Sequence, residues 1–475
     1  MKYQITQLTK ADYNEAMLFL SMAYNGIEDI DDLPEQMPVV FRPTEEQMNC
    51  HYAIKIDGKI RSMLGIYPCE MVASNDKLKL AQIGSMATES AYRGQKMMTT
   101  LLSFAVEKIK KEQFDLAYAV GDKSLFSNHG FERMGSKIHF WTYPSNLKHC
   151  NINQENLSFE HPDEIDLETA KFLNGLYQKQ TTYINREDKD FWSICKTGRC
   201  KPYLAKKDGK IVGYFVVDKN GEIIKEIVAE SVSMNLSMQK EFLKVGFDIY
   251  LPSTERELSR ELLNTSQGIS LIDNDNWKIF NYAQVLTLFL KMKNAISKLS
   301  YGELDLEIEE VGSFRFKVTQ GEISCQQVTE KSSNKITSKK FCNLAFGLSA
   351  YYSVEALTNE LQILQQWFPL PLSLCCQNFV VVYQKPPVKL QEPEKFCGEY
   401  RCDSENLVRK IILDDENLFY WRSETSMSQL EPVSQTELSL VGDTDFLLTF
   451  DFTSQTKSFT LKNGDNEPVI FNQLT

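Results

Sequence analysis

Between Leu80 and Gly135 the chain alternates strand and helix patterns about a glycine turn. Leu80–Thr88 has a strand pattern, and the turn Tyr92-Arg93-Gly94-Gln95 follows it. Met98, Leu101, Leu102, Ala105 and Ile109 then fall on one face of a helix. Leu116–Val120 returns as a strand, and a short helix ends at Gly130, a residue suited to a C-cap. A strand that feeds a glycine turn and then a helix is an anion site in outline. The first N–H groups of the helix have no intrahelical acceptor, and the helix dipole favours negative charge there. Arg93 adds a charge-assisted donor, and a pyrophosphate fits such a place. Taken alone, the turn reads as an ordinary connection, since many α/β turns contain glycine.

The rest of the segment narrows the choice. The succession of strand, Tyr-Arg-Gly turn, amphipathic helix, strand and Leu125-Phe126-Ser127-Asn128-His129-Gly130-Phe131 resembles the core motif of the GNAT N-acetyltransferases over about the first 145 residues. The resemblance implies acetyl-CoA as co-substrate. Arg93, Gly94, Gln95, Lys96, Met97 and Met98 would surround its pyrophosphate, mainly through backbone N–H groups, and Met86 and Ala87 would contact pantetheine. It also implies direct transfer. A neutral amine attacks the thioester, a backbone N–H stabilises the oxyanion, a base takes a proton and an acid protonates the thiolate.

Two positions depart from the family pattern. Lys96 stands where a second Gly is usual, and Met98 where a small residue is usual, so a weakened fit is expected. Phe126 stands where the family often has a Tyr as general acid, and Phe has no proton to give. The catalytic acid and base are therefore unassigned, and Phe126→Tyr is expected to raise turnover if that position is merely unfilled.

The 475 residues suit several domains. The expected fold class is α/β and α+β multidomain. It comprises a GNAT domain (1–148), a degenerate GNAT-like domain without the Gly-rich turn (149–280), a sterol-carrier-protein-like domain (281–384), a linker (385–395) and a small all-β, lipocalin-like barrel (396–475). Two hairpins across Asp57-Gly58 and Asp208-Gly209 make the second unit look like a partial copy of the first. This order resembles the enhanced-intracellular-survival (Eis) acetyltransferases, which acetylate amines of aminoglycosides and some lysines and tend to form symmetric oligomers. In that family the terminal carboxylate of the third domain serves as base. The additional β module makes that role unexpected for Thr475.

A formal net charge of −12 argues against nucleic acid as the main partner, because phosphate binding needs surplus Lys and Arg. It is compatible with a cationic acceptor. The loop Glu28-Asp29-Ile30-Asp31-Asp32 borders the acceptor side in GNAT folds. Glu28, Asp29, Asp31 and Asp32 read either as a solvated loop or as a site for a polycationic amine. The 11 cysteines include no C-x-x-C pair or zinc-type cluster, and free thiols in a reducing cytosol are expected. No apolar leader or spanning segment is seen, so a cytoplasmic protein without membrane or metal is expected. Cys375-Cys376 and the cluster at Trp367 read as core packing, and His129 as a surface or packing residue.

The first expectation is thus an N-acetyltransferase acting on a primary amine, and the resemblance implies a homo-oligomer. The alternative is a non-catalytic acyl-CoA-binding or sensing protein, and a hydrophobic-ligand carrier is a third class.

Overall fold

The computed structural model describes residues 3–26, 29–74, 76–143, 145–146, 155–242, 247–348, 361–374, 390–414, 417–424, 426–440, 443–454, 456–463 and 467–474. Glu28, Cys375, Cys376 and Thr475, together with residues 385–389 of the expected linker, lie outside the described residues.

The N-terminal sheet runs, from one edge, Ile5–Gln7, His51–Ile56, Lys59–Ala73, Asp76–Thr88, Leu116–Ala119, Asn276–Ile279 and Glu132–Arg133. The short strand Thr182–Ile184 adds to Lys59–Ala73. The first hairpin closes at Asp57 and Gly58, with φ +52° and +75°, the left-handed pair that a two-residue turn demands. Two helices cover the sheet. Met97–Lys111 buries Leu101, Leu102, Ala105 and Ile109 against Ile54, Leu64, Ala81 and Ile83. On the opposite face Tyr13–Asn25 buries Ala16, Met17 and Leu20 against Ala53, Met63 and Ala87. Each fully buried Leu, Ile or Met among them contributes roughly 1.5–3 kcal/mol. The capping box at Thr9 and Asp12 starts the latter helix region, and Gly26 with φ +68° ends it.

A second, seven-stranded sheet repeats part of this plan. The hairpin Lys201–Lys207/Lys210–Val217 again turns on a left-handed Asp-Gly pair, and Ile223–Ala229 follows it. Ile223–Ala229 runs parallel to Phe247–Pro252 for two residue pairs only, with the helix Val232–Phe242 between them. Sheet membership does not follow the chain boundaries at 148 and 280. Ser136–Thr142 lies in the second sheet, and Asn276–Ile279 crosses back into the first.

A third, four-stranded sheet (Ile323–Val328, Gly312–Val318, Gly302–Glu309, Lys335–Thr337) packs against the helix Tyr282–Ile296. Its core is continuous with that of the first sheet, through Leu80, Leu116, Trp277 and Tyr282 to Phe316 and Trp367. Trp367 is fully buried and donates to the Ser300 carbonyl at 2.8 Å. The C-terminal module is a closed barrel of eight antiparallel strands from Gly398–Cys402 to Val469–Gln473, sealed by the pairs Tyr400↔Gln473 and Arg401↔Asn472. Tyr400, Tyr420, Phe450, Phe459 and Phe471 fill it. The end of the expected linker is part of this body, because Pro393–Phe396 forms a turn that plugs Phe396 into the barrel core. Among the described residues no helix is long and apolar enough to cross a membrane.

Candidate active site

The first sheet opens next to the glycine turn. Asp76–Thr88 and Leu116–Ala119 run parallel from Leu80↔Leu116 to Ile83↔Ala119, and the pairing stops there. Past that point the outgoing strand is held from its far side. The Asn276 side-chain amide donates to the carbonyls of Ala119 (3.2 Å) and Gly121 (3.0 Å), and Arg133 donates to Gly121 at 2.8 Å. The carbonyls that would continue the ladder are therefore spent elsewhere, and residues 84–88 face the gap without a strand partner on that side.

The same stretch carries a β-bulge. Gly65 pairs with Gly84 and Met63 with Ala87, so Ser85 and Met86 together oppose a single residue, and Ser85 takes φ +49°. The Met86 carbonyl accepts a 3.0 Å bond from the Tyr24 hydroxyl, and its side chain packs on the core. Ala87 is buried, and its carbonyl accepts from the Ser62 hydroxyl at 3.2 Å.

The turn itself is pinned at several points. Arg61 pairs with Glu89 and lies over the Tyr92 ring, 4.8 Å from its centre. The Tyr3 hydroxyl donates to the Gln95 carbonyl at 3.0 Å. Gly94 is buried with φ +71°, and Lys96 holds φ +57° as N-cap of Met97–Lys111. The first intrahelical bond runs from Thr100 N–H to the Lys96 carbonyl, which leaves the N–H groups of Met97, Met98 and Thr99 ahead of it. The Met97 side chain is buried and Met98 packs on the same core, so neither side chain obstructs those N–H groups. That explains how the chain carries Met98 where a small residue is usual. The Arg93 guanidinium is half-buried. Burial pulls its pKa below the ordinary value, against the opposing charges of Glu431 and Glu437 on the barrel.

Behind the bulge lies a buried polar chain that sequence reasoning did not identify. The Tyr67 hydroxyl contacts the Ser85 hydroxyl and sits 3.0 Å from His51 Nε2, while His51 Nδ1 sits 3.1 Å from the Gln47 carbonyl. A carbonyl only accepts, so Nδ1 carries the proton, Nε2 accepts from Tyr67, and Tyr67 accepts from Ser85. Ser85 is left with lone pairs for whatever lies over the bulge. Burial pushes the His51 pKa down to about 4, against two backbone hydrogen bonds, so the ring is neutral at pH 7 and orients the chain rather than storing a proton. One signal was present in the sequence. Gly65 and Tyr67 share a strand face, and a Cβ on Gly65 would overlap the Tyr67 ring.

Other expected residues separate on inspection. Phe126 is 1% exposed and packs 5.5 Å from Phe131 inside the core, so a hydroxyl added there would need a partner among apolar neighbours. Asp32 is buried, bonded by Arg199 at 2.6 Å and Gln36 at 2.9 Å, and ties two parts of the chain together. Asp29 and Asp31 are exposed, and the Asp29 carboxylate accepts from the Asp31 N–H at 2.9 Å. The described cysteines are all free. No group of metal-ligating side chains occurs among the described residues.

Residues 4–137 match the family model described as an acetyltransferase (GNAT) domain. Those residues form a GNAT acetyltransferase domain. The wider fold is similar to that of GCN5-related N-acetyltransferases from Anabaena variabilis (16% identity, TM-score 0.56, covering 79% of this chain and 98% of that one) and Kribbella flavida (10%, 0.57, 80% and 98%). It is also similar to Eis1 from Mycobacterium abscessus (11%, 0.51, 72% and 90%). At these identities the likeness is one of fold, and they leave 21%, 20% and 28% of this chain, respectively, without a counterpart. No curated protein matches the chain by sequence.

Proposed function

We propose that the GNAT domain transfers an acetyl group from acetyl-CoA to a primary amine by direct attack. The observation that carries this reading is the gap beside residues 84–88, which ends at a helix whose first N–H groups are unbonded within the helix. Pantetheine would enter the gap along Met86 and Ala87. The pyrophosphate would rest on the backbone N–H groups of the turn from Arg93 to Met98. The amine nitrogen would bond to the thioester carbonyl carbon while a backbone N–H at the bulge holds the developing oxyanion. The C–S bond then breaks, the thiolate takes a proton, and the amide loses one. Ser85, oriented by Tyr67 and His51, would accept a hydrogen bond from the attacking amine. Asp29 and Asp31 would draw a cationic acceptor such as an aminoglycoside, a polyamine or a lysine side chain. Asp32, already paired, would take no part.

The order of the units supports an Eis-like architecture, with the division at 148, 280, 384 and 396 as its working boundaries and a homo-oligomer as the expected assembly. The free cysteines favour a reducing compartment such as the cytoplasm. The test incubates the full chain with acetyl-CoA and a panel of amines and follows free thiol. Release no faster than in buffer across polyamines, aminoglycosides and lysine peptides would refute amine transfer. The core position of Phe126, which supplies no acid, favours a second reading of acyl-CoA binding without turnover. Calorimetric binding with no thiol release would select it.

A further inference from the structure

The C-terminal barrel rests on the glycine turn. Lys462 Nζ donates to the Arg93 carbonyl at 3.1 Å. Its methylenes lie over Gly94, where a Cβ would come within 2.9 Å of the Lys462 Cε. Lys462 sits on the barrel strand Ser458–Asn463, and Glu431 and Glu437 on the barrel strands Ser426–Pro432 and Glu437–Leu440. Those two carboxylates act on the Arg93 guanidinium. The interface therefore exchanges cations. The charges of Glu431 and Glu437 reach the turn's own arginine through space, while a barrel lysine hydrogen-bonds the turn directly. Lys462 spends one donor on the Arg93 carbonyl and forms no ion pair among the described residues, which leaves two ammonium donors beside the helix N-terminus.

We infer that Lys462 binds the pyrophosphate of the coenzyme A site, so that the barrel completes that site. The inference rests on the proposed placement of the pyrophosphate at this turn. The turn offers backbone donors and the partial positive charge of the helix dipole. A full positive charge on Lys462 supplies what two phosphate charges still need. Gly94 admits the lysine stem, since any side chain there would meet it.

The test is calorimetry on the full chain with coenzyme A and with dephospho-coenzyme A, which keeps the pyrophosphate but lacks the 3′-phosphate. Lys462→Met keeps the stem and removes the charge. It should weaken both ligands by roughly ten- to hundredfold, the range for losing a charge-assisted hydrogen bond. Lys462→Arg should bind close to wild type, and thermal midpoints should match across the three proteins. Unchanged or tighter binding by Lys462→Met, with wild type binding normally, overturns the inference and leaves the proposed site standing. So does a loss confined to coenzyme A, which would put the lysine at the 3′-phosphate. Wild type failing to bind either ligand removes the site and the inference together.

Discussion

At the scale of single residues, the turn keeps its left-handed backbone while carrying a lysine where glycine is usual. Lys96 adopts a left-handed conformation that glycine holds without strain. For a residue with a Cβ this costs roughly 1–2 kcal/mol, partly offset by the lower chain entropy of lysine. Lys96→Gly should therefore raise stability by about 0.5–1 kcal/mol, read as a shift in denaturant midpoint at constant slope, and coenzyme binding should survive. His51 gives a pH signature. Its folded pKa of about 4 lies below the ordinary value of 6.5, so the unfolded chain binds more protons between these limits. Stability from this group is intact above pH 6.5 and falls as pH drops towards 4, by up to about 1.4 kcal/mol per unit. His51→Gln should flatten the pH dependence of the unfolding free energy across that window. A slope identical to wild type would mean the ring is not buried neutral. The left-handed turn was legible in the sequence as Arg93-Gly94. The Ser85–Tyr67–His51 chain was not, because its members come from three strands and meet only through register.

At the scale of elements, the gap depends on Asn276–Ile279. This strand joins the sheet from far along the chain, pairs with Leu116–Ala119, and positions Asn276 to take the Ala119 and Gly121 carbonyls. Asn276→Ala frees both acceptors at a buried place and should cost about 1–3 kcal/mol. Coenzyme affinity should fall as well, because the strand is no longer held away from residues 84–88. Unfolding and calorimetry check the two effects separately, and lost stability with unchanged affinity would show that the splay does not need the asparagine. The helices and hairpins were readable from period and turn chemistry, with Asp57-Gly58 and Asp208-Gly209 marking both reversals. The sequence led to a small all-β barrel over 396–475, and the structure has eight strands there. Ser426–Pro432 and Glu437–Leu440 are short or polar, and their strand state comes from neighbours in the ladder.

At the scale of the whole molecule, the sheets share material. One apolar core joins the first sheet to the third through Trp277, which is fully buried against Tyr118 at 4.6 Å between ring centres. Trp277→Ala should cost about 3–5 kcal/mol and lower the thermal midpoint of both units in one transition. Two separate transitions, only one of them shifted, would show that the units unfold independently. Coenzyme A at a hundredfold excess over its Kd should stabilise the transition that contains the turn by about 2.7 kcal/mol. If Lys462 is part of the site, the barrel should share in that gain.

Leu80 to Gly135 could be read as a strand, an anion turn, a helix and a returning strand because each depends on near neighbours in the chain: apolar period, a glycine at a left-handed position, and helix N–H groups without acceptors. Those local rules also placed the backbone atoms to which the proposed function assigns the pyrophosphate. What surrounds them was set only by packing. Register brought Ser85, Tyr67 and His51 together, a strand from residue 276 onward opened the gap, and the barrel carried Lys462 to the turn across 369 positions of sequence. Contacts of that separation leave no periodic trace, since no local backbone rule links the residues that make them.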